Sequence, residues 1–367
     1  MSLHALWLRA APAFVALGFA GADGVQVFSA EALAGLHHPP LNPDIPALIV
    51  TGTAPDQAAL CRALSNQYPD DHPLQVVRPD AALETVSLAA LPEVAGAWLA
   101  LGVPPLPRPG SFERFQEVIA HLRAPEGCPW DRKQTHRSLR PYLLEETYEV
   151  LDALDAGDVD ALREELGDLL LQIVLHSQVA VDAGEFRMGD VLAHIIEKII
   201  RRHPHVWGSV DVSDDQEVKV NWDRLKQAEK TERAENGAPA SRLDGVAKAL
   251  PALTQAYSYQ DRAARVKFDW DTIAPVIAKV HEEIEELGAA QTAAEREAET
   301  GDLLFAVVNW ARWLGVDPES ALRATNARFY RRFAFIEQQA AAQNRPLDDL
   351  SFAEMDALWE AAKDSGL

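Results

Sequence analysis

Four acidic side chains at helical spacing are the residues of this sequence best suited to chemistry. Glu146 and Glu149 are three positions apart, as are Glu165 and Asp168, so each pair projects from one face of a helix. The turn signal Ala-Gly-Asp at 156–158 makes the two helices antiparallel neighbours, which brings the four carboxylates together. Close carboxylates repel one another unless a cation neutralises them, and an all-oxygen set suits Mg2+ or Mn2+. The pattern therefore predicts a site for a hard divalent cation.

A second copy of the acidic pattern lies further along the chain. Its members are Glu283, Glu286, Glu299 and Asp302. The string Glu-x-Gly-Asp-Leu-Leu occurs at 165–170 and again at 299–304. One such acidic pair alone is most simply a solvated helix face, but its recurrence within a longer match indicates an internal structural repeat.

A basic segment follows each acidic set. The cations are Lys198, Arg201 and Arg202 after the first set, and Arg328, Arg331 and Arg332 after the second. Cations at the end of a helix also stabilise its dipole, which is the simpler interpretation at 201–202. A metal site followed by a basic helix nevertheless suggests a clamp for a polyphosphate.

Hydrophobic periodicity separates a short front segment from a helical remainder. Short buried strands at 47–51 and 74–78 flank a helix at about 55–68, which predicts a small α/β unit. The repeated prolines of 103–110 predict an extended linker. A polar stretch at 235–241 predicts a flexible joint between the repeats.

These boundaries predict three domains in a mainly α chain. The first, 1–110, is the small α/β unit with its proline-rich linker. The second and third, 111–235 and 236–367, are all-α helical repeats, each with its own acidic set.

Composition narrows the function classes. The 34 basic and 56 acidic residues give a net charge of −22, so a basic footprint for bulk nucleic-acid binding is missing. Cys61 and Cys128 have no metal-ligand spacing, which is typical of a reducing cytoplasm without disulfides. No apolar run is long enough to span a membrane, and Pro12 interrupts the weak signal-like stretch at 10–20. We expect a cytoplasmic protein without membrane association.

Several other residues carry candidate roles. Trp130 and Lys133 lie in the loop 127–136 before the first acidic helix, where Trp130 is either the plug of a rigid turn or a stacking surface for a base. Lys133 could reach a phosphate. His203 and His205 resemble metal ligands, but no third ligand has matching spacing, which favours a structural role.

The runs GCPWDRKQTH, YLLEETYEVLDA, EELGDLLLQ and KIIRRHPHVWG resemble the MazG family of nucleoside triphosphate pyrophosphohydrolases. The resemblance covers about 112–367 and includes both repeats. It implies the all-α pyrophosphatase bundle, usually a dimer, with Mg2+ (Mn2+ is possible) in each acidic set and basic residues gripping the triphosphate. In the second repeat it also implicates Lys279, Asn326, Arg328, Arg331, Arg332 and Trp359. Position 328 is commonly Lys in the family, so Arg328 is a mild departure.

The resemblance implies hydrolysis of a (d)NTP to a (d)NMP and pyrophosphate, a reaction that cleans the nucleotide pool. Glu145 and Glu282, each beside a predicted metal ligand, are candidates for the general base. A di-iron carboxylate oxidase is a rival interpretation, but neither acidic pair supplies its Glu-x-x-His motif. A non-catalytic module that senses nucleotides is the other alternative, and the intact second acidic set argues against it.

The front segment is similar to a different family. GFAGADGVQVFSAEAL, PALIVTG and QYPDDHPLQVV resemble the C-terminal half of a tetrapyrrole (SAM-dependent) methylase domain. The family's glycine-rich N-terminal half is absent from this match, so we interpret the segment as a remnant without methyltransferase activity.

The two repeats are also expected to differ in activity. Aligning Lys198 with Arg328 places Ile196 opposite Asn326, so only the second repeat offers a hydrogen-bonding side chain at that position. The second repeat is therefore predicted to perform most of the hydrolysis.

Overall fold

The structure, a computed structural model, describes most of the chain and divides it into two compact units. The described residues are 3–19, 24–52, 55–233 and 241–367. The units are Met1–Ala193 and His194–Leu367. The predicted joint at 235–241 lies outside the described residues except for Ser241, and the three-domain division stays a prediction.

The front of the first unit contains a five-stranded mixed sheet. Its strands are Gln26–Ser29 (β1), Ala47–Val50 (β2), Pro73–Val77 (β3), Leu83–Ser87 (β4) and Ala100–Val103 (β5). The order is β1-β2-β5-β3-β4, with β1 and β2 parallel and the other neighbours antiparallel. β2 and β3 confirm the two predicted strands; the other three were not predicted.

Helices cover the sheet. They are Leu3–Ala16 (α1), Ala30–Ala34 (α2) and Gln57–Leu64 (α3). Alternate residues of β2 enter two different cores: Ile49 joins the cluster that contains α2 and α3 residues, and Leu48 and Val50 join the cluster that contains α1 residues. Burial of both faces explains why β2 is a continuous apolar run and confirms the predicted α/β unit.

Asp44 fixes the end of the proline-rich segment. Its Oδ1 accepts a hydrogen bond from the backbone N–H of Gly110 at 2.7 Å, and its Oδ2 accepts one from the Ser111 hydroxyl at 2.6 Å. Burial raises the pKa of Asp44, but these hydrogen bonds outweigh it and the pKa is lowered. Ser111 Oγ in turn accepts a hydrogen bond from the backbone N–H of Arg114 and caps the next helix.

The first helical repeat follows. Its helices are Phe112–Arg123 (α4), His136–Ala156 (α5), Val159–Ala183 (α6) and Met188–Arg202 (α7), which runs across the border of the units. α5 ends because Gly157 adopts a left-handed φ of 67°, and α6 begins because the Asp158 side chain accepts hydrogen bonds from the backbone of Asp160 and Ala161. These two caps confirm the predicted turn, and α5 and α6 pack side by side.

Within its described residues, the second unit consists of helices and the loops that connect them. Its helices are Pro204–Trp207 (α8), Asp215–Arg233 (α9), Ala252–Ala264 (α10), Ile273–Ala289 (α11), Ala293–Trp313 (α12), Pro318–Ala342 (α13) and Phe352–Asp364 (α14). α11 packs against α12 as α5 packs against α6, and a capping box of Thr292 and Glu295 starts α12. The prediction of a mainly α chain after a small α/β segment is confirmed. Within the described ranges, no helix combines the length and apolar character needed to cross a membrane.

Candidate active site

The second acidic set is gathered where α11 faces α12. Glu283 and Glu286 come from α11, and Glu299 and Asp302 come from α12. Glu283, Glu286 and Glu299 each offer a carboxylate oxygen, and these atoms lie within 4.8 Å of one another. All four acidic residues line one cavity of about 620 Å³. Glu283 is only 4% exposed, so its charge requires a partner.

Lys279 supplies that partner in the structure. Its Nζ lies 2.7 Å from Glu283 Oε1 and 2.7 Å from Glu282 Oε1, one helical turn further along α11. The hydrogen bonds to Glu282 and Glu283 raise the pKa of Lys279 well above its usual value. Lys279 lines the cavity, whereas Glu282 is exposed and lies outside its lining. Its role as general base stays a prediction.

The lining of the cavity combines acidic residues with aromatic ones. Tyr259, Phe268 and Trp270 line the aromatic part, and Phe268 is 82% exposed. Between the two ring-bearing loop residues, Asp269 is held by Arg312 Nη2 at 2.7 Å and by Trp313 Nε1 at 3.2 Å. Burial raises the pKa of Asp269, but these hydrogen bonds outweigh it and the pKa is lowered. The half-buried Asp269–Arg312 pair anchors the loop that contributes Phe268 and Trp270 to the cavity lining.

Two buried amides complete the lining. Asn309 Oδ1 accepts hydrogen bonds from Arg312 Nε at 3.1 Å and from Arg312 Nη2 at 2.8 Å, and Gln260 Nε2 donates to the carbonyl of Phe305 at 2.8 Å. Neither amide was among the predicted site residues, and neither was the loop 268–270. The available signal was Phe-Asp-Trp at the end of a helical segment, where two aromatic residues flank an acid.

The first acidic set has a similar arrangement on α5 and α6. Oxygen atoms of Glu146, Glu165 and Asp168 lie within 4.8 Å of one another. The charge of Glu149 is among the causes that raise the pKa of Glu146, so Glu149 belongs to the same acidic set. The structure thus brings together both carboxylate groups that the sequence predicted.

Electrostatics in both acidic sets favour cation binding. Burial and the neighbouring carboxylates raise the pKa of Glu146 and of Glu165. Burial also raises the pKa of Glu286, and the charges of Glu283 and Glu299 add to the effect while Lys279 opposes it. Clustered oxygen ligands that repel one another fit a hard divalent cation, and the two sets are the groups that could hold one.

The remaining candidates of the first repeat are exposed. Trp130 is half-exposed and packs edge-to-face on Tyr142, with ring centroids 5.9 Å apart. Lys133 is exposed, and so is Glu145, the other candidate base. Their predicted roles stay predictions.

The arginines at the end of α7 are already paired within the second unit. Arg202 Nη2 lies 2.5 Å from Glu229 Oε2, and Arg201 Nη2 lies 2.8 Å from Glu229 Oε1. The hydrogen bond from Arg202 and the other contacts lower the pKa of Glu229 to about 2. Arg202 also lies over the ring of Trp222, and Lys198 is half-buried on α7. A phosphate would have to compete with Glu229 for these arginines.

The predicted substrate-binding residues of α13 lie outside the lining of the cavity. They are Asn326, Arg328, Arg331 and Arg332. Arg332 donates to the carbonyl of Leu367 at 2.8 Å and lies 5.5 Å from the ring centroid of Trp359, which also packs on Phe329. Trp359 is therefore half-buried between α13 and α14, outside the cavity lining. Whether these residues contact substrate stays a prediction.

The fold and the two sites define a class, an α-helical protein in which a repeated hairpin presents clustered carboxylates. A profile of the MazG nucleotide pyrophosphohydrolase domain matches residues 134–207. The chain is 43% identical over 252 residues to the nucleoside triphosphate pyrophosphohydrolase/pyrophosphatase MazG of Thermotoga maritima, covering 69% of this chain and 95% of that protein. It is 43% identical over 258 residues to the nucleoside triphosphate pyrophosphohydrolase of Escherichia coli K12, covering 69% and 97%. The chain belongs to the MazG family, which confirms the resemblance of its helical part.

A relative from Mycolicibacterium smegmatis, also named nucleoside triphosphate pyrophosphohydrolase, is 35% identical over 256 residues, covering 65% of this chain and 75% of that protein. The methylase resemblance of the front segment stays a prediction.

Divalent cations are expected to stabilise the folded protein in a pH-dependent way. Folding raises the pKa values of three glutamates, Glu146, Glu165 and Glu286. Protonation of these groups therefore favours the folded state at low pH. This stabilisation is lost as the pH rises through their folded-state pKa values. Near neutral pH the carboxylates repel, so a bound cation adds the most there. At a concentration of 100 times Kd, one site adds about 2.7 kcal/mol to the free energy of unfolding. Thermal denaturation with and without Mg2+ at about pH 7.5 and about pH 5 measures the difference. An equal Mg2+ effect at both pH values, beyond a NaCl control of matched ionic strength, would contradict the assignment.

Proposed function

We propose that this chain hydrolyses nucleoside triphosphates to nucleoside monophosphates and pyrophosphate, and that the second repeat performs most of the reaction. The activity is the one for which its MazG relatives are named. The observation that carries the proposal is the cavity in which Glu283, Glu286, Glu299 and Asp302 meet Lys279 and an aromatic wall. Its carboxylates suit a cation that binds phosphates, and its aromatic rings suit a base.

The acidic set fits the metal of a metal-dependent hydrolase. We propose Mg2+, with Mn2+ able to replace it, held by these four carboxylates. The donors are all oxygen, those of Glu283, Glu286 and Glu299 lie within 4.8 Å of one another, and Asp302 lines the same cavity. When bound, the metal supplies charge that shields the polyphosphate and lowers the pKa of an attacking water. The residues of the chain would hold the triphosphate next to that positive charge and prevent it from binding in other orientations.

Lys279 is positioned to change partners when substrate arrives. In the structure it neutralises Glu283 and Glu282, each at 2.7 Å. A cation held by these carboxylates would supply that neutralisation, and the Lys279 ammonium would then be available to bind a phosphate oxygen in the same cavity. Release of Lys279 also frees Glu282 to accept a proton, which is the role that the resemblance leaves open.

The aromatic wall provides the base site. Phe268 and Trp270 project from a loop fixed by the half-buried Asp269–Arg312 pair, and ring faces of this kind stack on any nucleobase. The cavity volume of about 620 Å³ lies within the range of about 300–1,000 Å³ usual for small-molecule sites. Residues of α13 that the family implicates would then complete the triphosphate clamp.

We also propose that the enzyme is a homodimer. Apolar side chains of α11 to α13 are exposed in the single chain, a pattern that a second copy would cover. They include Ile284, Leu304, Phe305, Val307, Leu322, Phe329 and Tyr330. Light scattering coupled to gel filtration should give twice the monomer mass, and a monomer mass at micromolar concentration would contradict this proposal.

The domain division 1–110, 111–235 and 236–367 and a cytoplasmic location belong to the same proposal. Both cysteines are free, which suits a reducing compartment. The front segment is proposed to be a methylase-like remnant that binds no S-adenosylmethionine.

Product analysis tests the reaction. Incubation with a panel of NTPs and dNTPs plus Mg2+ should release pyrophosphate in an equal amount to the monophosphate, because attack is expected at the α-phosphorus. A nucleoside diphosphate with orthophosphate as first products would indicate a different NTPase. Tight nucleotide binding without turnover would instead support the nucleotide-sensing module.

A further inference from the structure

The two repeats differ at one position beside their acidic sets. Gln172 follows Glu165 by 172 − 165 = 7 residues, and Ala306 follows Glu299 by 306 − 299 = 7 residues. Both lie on the second helix of their hairpin, α6 or α12, so they occupy equivalent places in the repeat. A long amide side chain in one repeat therefore stands where the other has a single methyl group.

In the second repeat this position belongs to the cavity wall. Ala306 is 8% exposed and lines the cavity together with Asn309, three residues further along α12. Ala306 contributes only a methyl group to the space inside this cavity. A longer side chain at this point would enter that space.

In the first repeat the same position is occupied by a buried amide. Gln172 is 5% exposed, and its Nε2 makes a long hydrogen bond of 3.5 Å to Glu146 Oε1. Its Oε1 is buried and has no hydrogen-bond partner among the residues that the structure describes. A buried carbonyl oxygen without a partner beside a carboxylate cluster is an unused ligand.

The repeats also differ three residues further along the same helices. Leu175 is equivalent to Asn309, because each lies 10 residues after the first acid of its helix, Glu165 or Glu299. Leu175 is 3% exposed and packs in a core cluster with Ile119, Leu139 and Val174. Ala306 and Asn309 thus line a cavity in the second repeat. The equivalent residues of the first repeat, Gln172 and Leu175, are a buried amide and a core residue.

We propose that Gln172 closes the first repeat to the nucleoside part of a substrate, so that this repeat binds a divalent cation without a nucleotide. A half-turn of the Gln172 amide exchanges Nε2 for Oε1 beside Glu146 and adds a neutral oxygen to the ligands of Glu146, Glu165 and Asp168. Ala306 is the residue that keeps the second repeat open. The role of Ala306 in keeping the second repeat open to a nucleotide rests on the proposed function. The cation site of the first repeat does not depend on that function.

A reciprocal exchange on the full-length protein tests this inference. The probes are Mn2+, followed by electron paramagnetic resonance, and a nucleoside triphosphate analogue with a methylene bridge between the α and β phosphates, followed by calorimetry. The wild type should bind one analogue per chain and Mn2+ in both repeats. Ala306→Gln should weaken analogue binding by about tenfold or more, because added volume enters a fitted pocket, while Mn2+ binding in both repeats persists. Gln172→Ala should create a second analogue site.

One control variant separates closure by side-chain volume from metal ligation by the amide oxygen. Gln172→Leu keeps the volume but removes the amide oxygen, so the first repeat should stay closed to the analogue while its Mn2+ affinity falls. Retained Mn2+ binding by the second repeat and an unchanged circular dichroism spectrum show that each variant is folded.

The outcomes distinguish this inference from the proposed function. Two analogue sites in the wild type, unchanged binding by Ala306→Gln, or no second site in Gln172→Ala would each overturn closure by Gln172 while leaving the hydrolase intact. Absence of analogue binding and of pyrophosphate release in the wild type would overturn the proposed function, and the role of Ala306 with it. Failure of the first repeat to bind Mn2+ would overturn the cation site alone.

Discussion

Replacing Glu283 by Gln, or Asp302 by Asn, is expected to lower kcat/KM for nucleoside triphosphate hydrolysis by about a hundredfold or more. Both residues line the cavity, and Glu283 is buried against Lys279. The substitutions keep the side-chain volume nearly constant and remove one negative charge that attracts the metal. The phosphates of the substrate cannot replace a metal ligand that is fixed on a helix. Loss of that ligand therefore weakens stabilisation of the transition state. Steady-state release of pyrophosphate measures the effect.

The first repeat provides matched controls for this experiment. Glu146→Gln and Asp168→Asn make the same chemical changes in an equivalent hairpin, and they are expected to cost much less activity. All four variants should keep the wild-type circular dichroism spectrum. Equal losses in both repeats with intact folding would show that the two acidic sets share the catalytic work, and the predicted asymmetry would be wrong.

The helical hairpins and their carboxylates could be predicted because the information is local. Apolar periodicity, the Ala-Gly-Asp turn and the three-residue acidic spacing each act over one or two helical turns. Gly157 and Asp158 then fix the hairpin through their own backbone and side-chain geometry. Duplication of the pattern strengthened the prediction, since two copies rarely share acidic spacing by accident.

The aromatic wall could not be predicted in the same way. Phe268 and Trp270 lie in a non-helical loop, where no periodicity marks a functional face. Their placement depends on Asp269, which pairs with Arg312, 43 residues away. Such a long-range ion pair follows from tertiary packing, and the local Phe-Asp-Trp string does not reveal its partner.

The basic segments show the same limit. The charges at 201–202 suggested a free phosphate clamp, yet both arginines are paired with Glu229 on α9. Likewise, Arg332 is held by the carbonyl of Leu367 and the ring of Trp359. Sequence identifies the cations but not the partners that compete for them, and a basic side chain bonded to the protein must exchange partners before it binds phosphate.

Chelation with EDTA is expected to abolish pyrophosphate release, and Mg2+ or Mn2+ in excess of the chelator should restore it. In the second repeat three carboxylates have oxygen atoms within 4.8 Å, with a single Lys279 cation between Glu282 and Glu283. A triphosphate adds several more negative charges to the same cavity. At about 4 Å two like charges repel by about 4 kcal/mol at an effective dielectric constant of about 20, so one lysine cannot hold both sets together. Without a divalent cation, neither binding of the triphosphate nor attack on it is expected.

The control for this experiment is EDTA already saturated with Mg2+, at the same ionic strength, which should leave activity unchanged. Restoration should follow the ability of the ion to accept oxygen ligands, so Mg2+ and Mn2+ are both expected to succeed. Mn2+ titration by electron paramagnetic resonance should show that Glu283→Gln weakens binding in the second repeat, because one of its clustered carboxylates is gone. Activity that persists in excess EDTA after dialysis would exclude the carboxylate set as a metal site. In that case Lys279 and the basic residues of α13 would have to neutralise the triphosphate without a metal ion. Lys279→Met would then lower activity more than any carboxylate substitution.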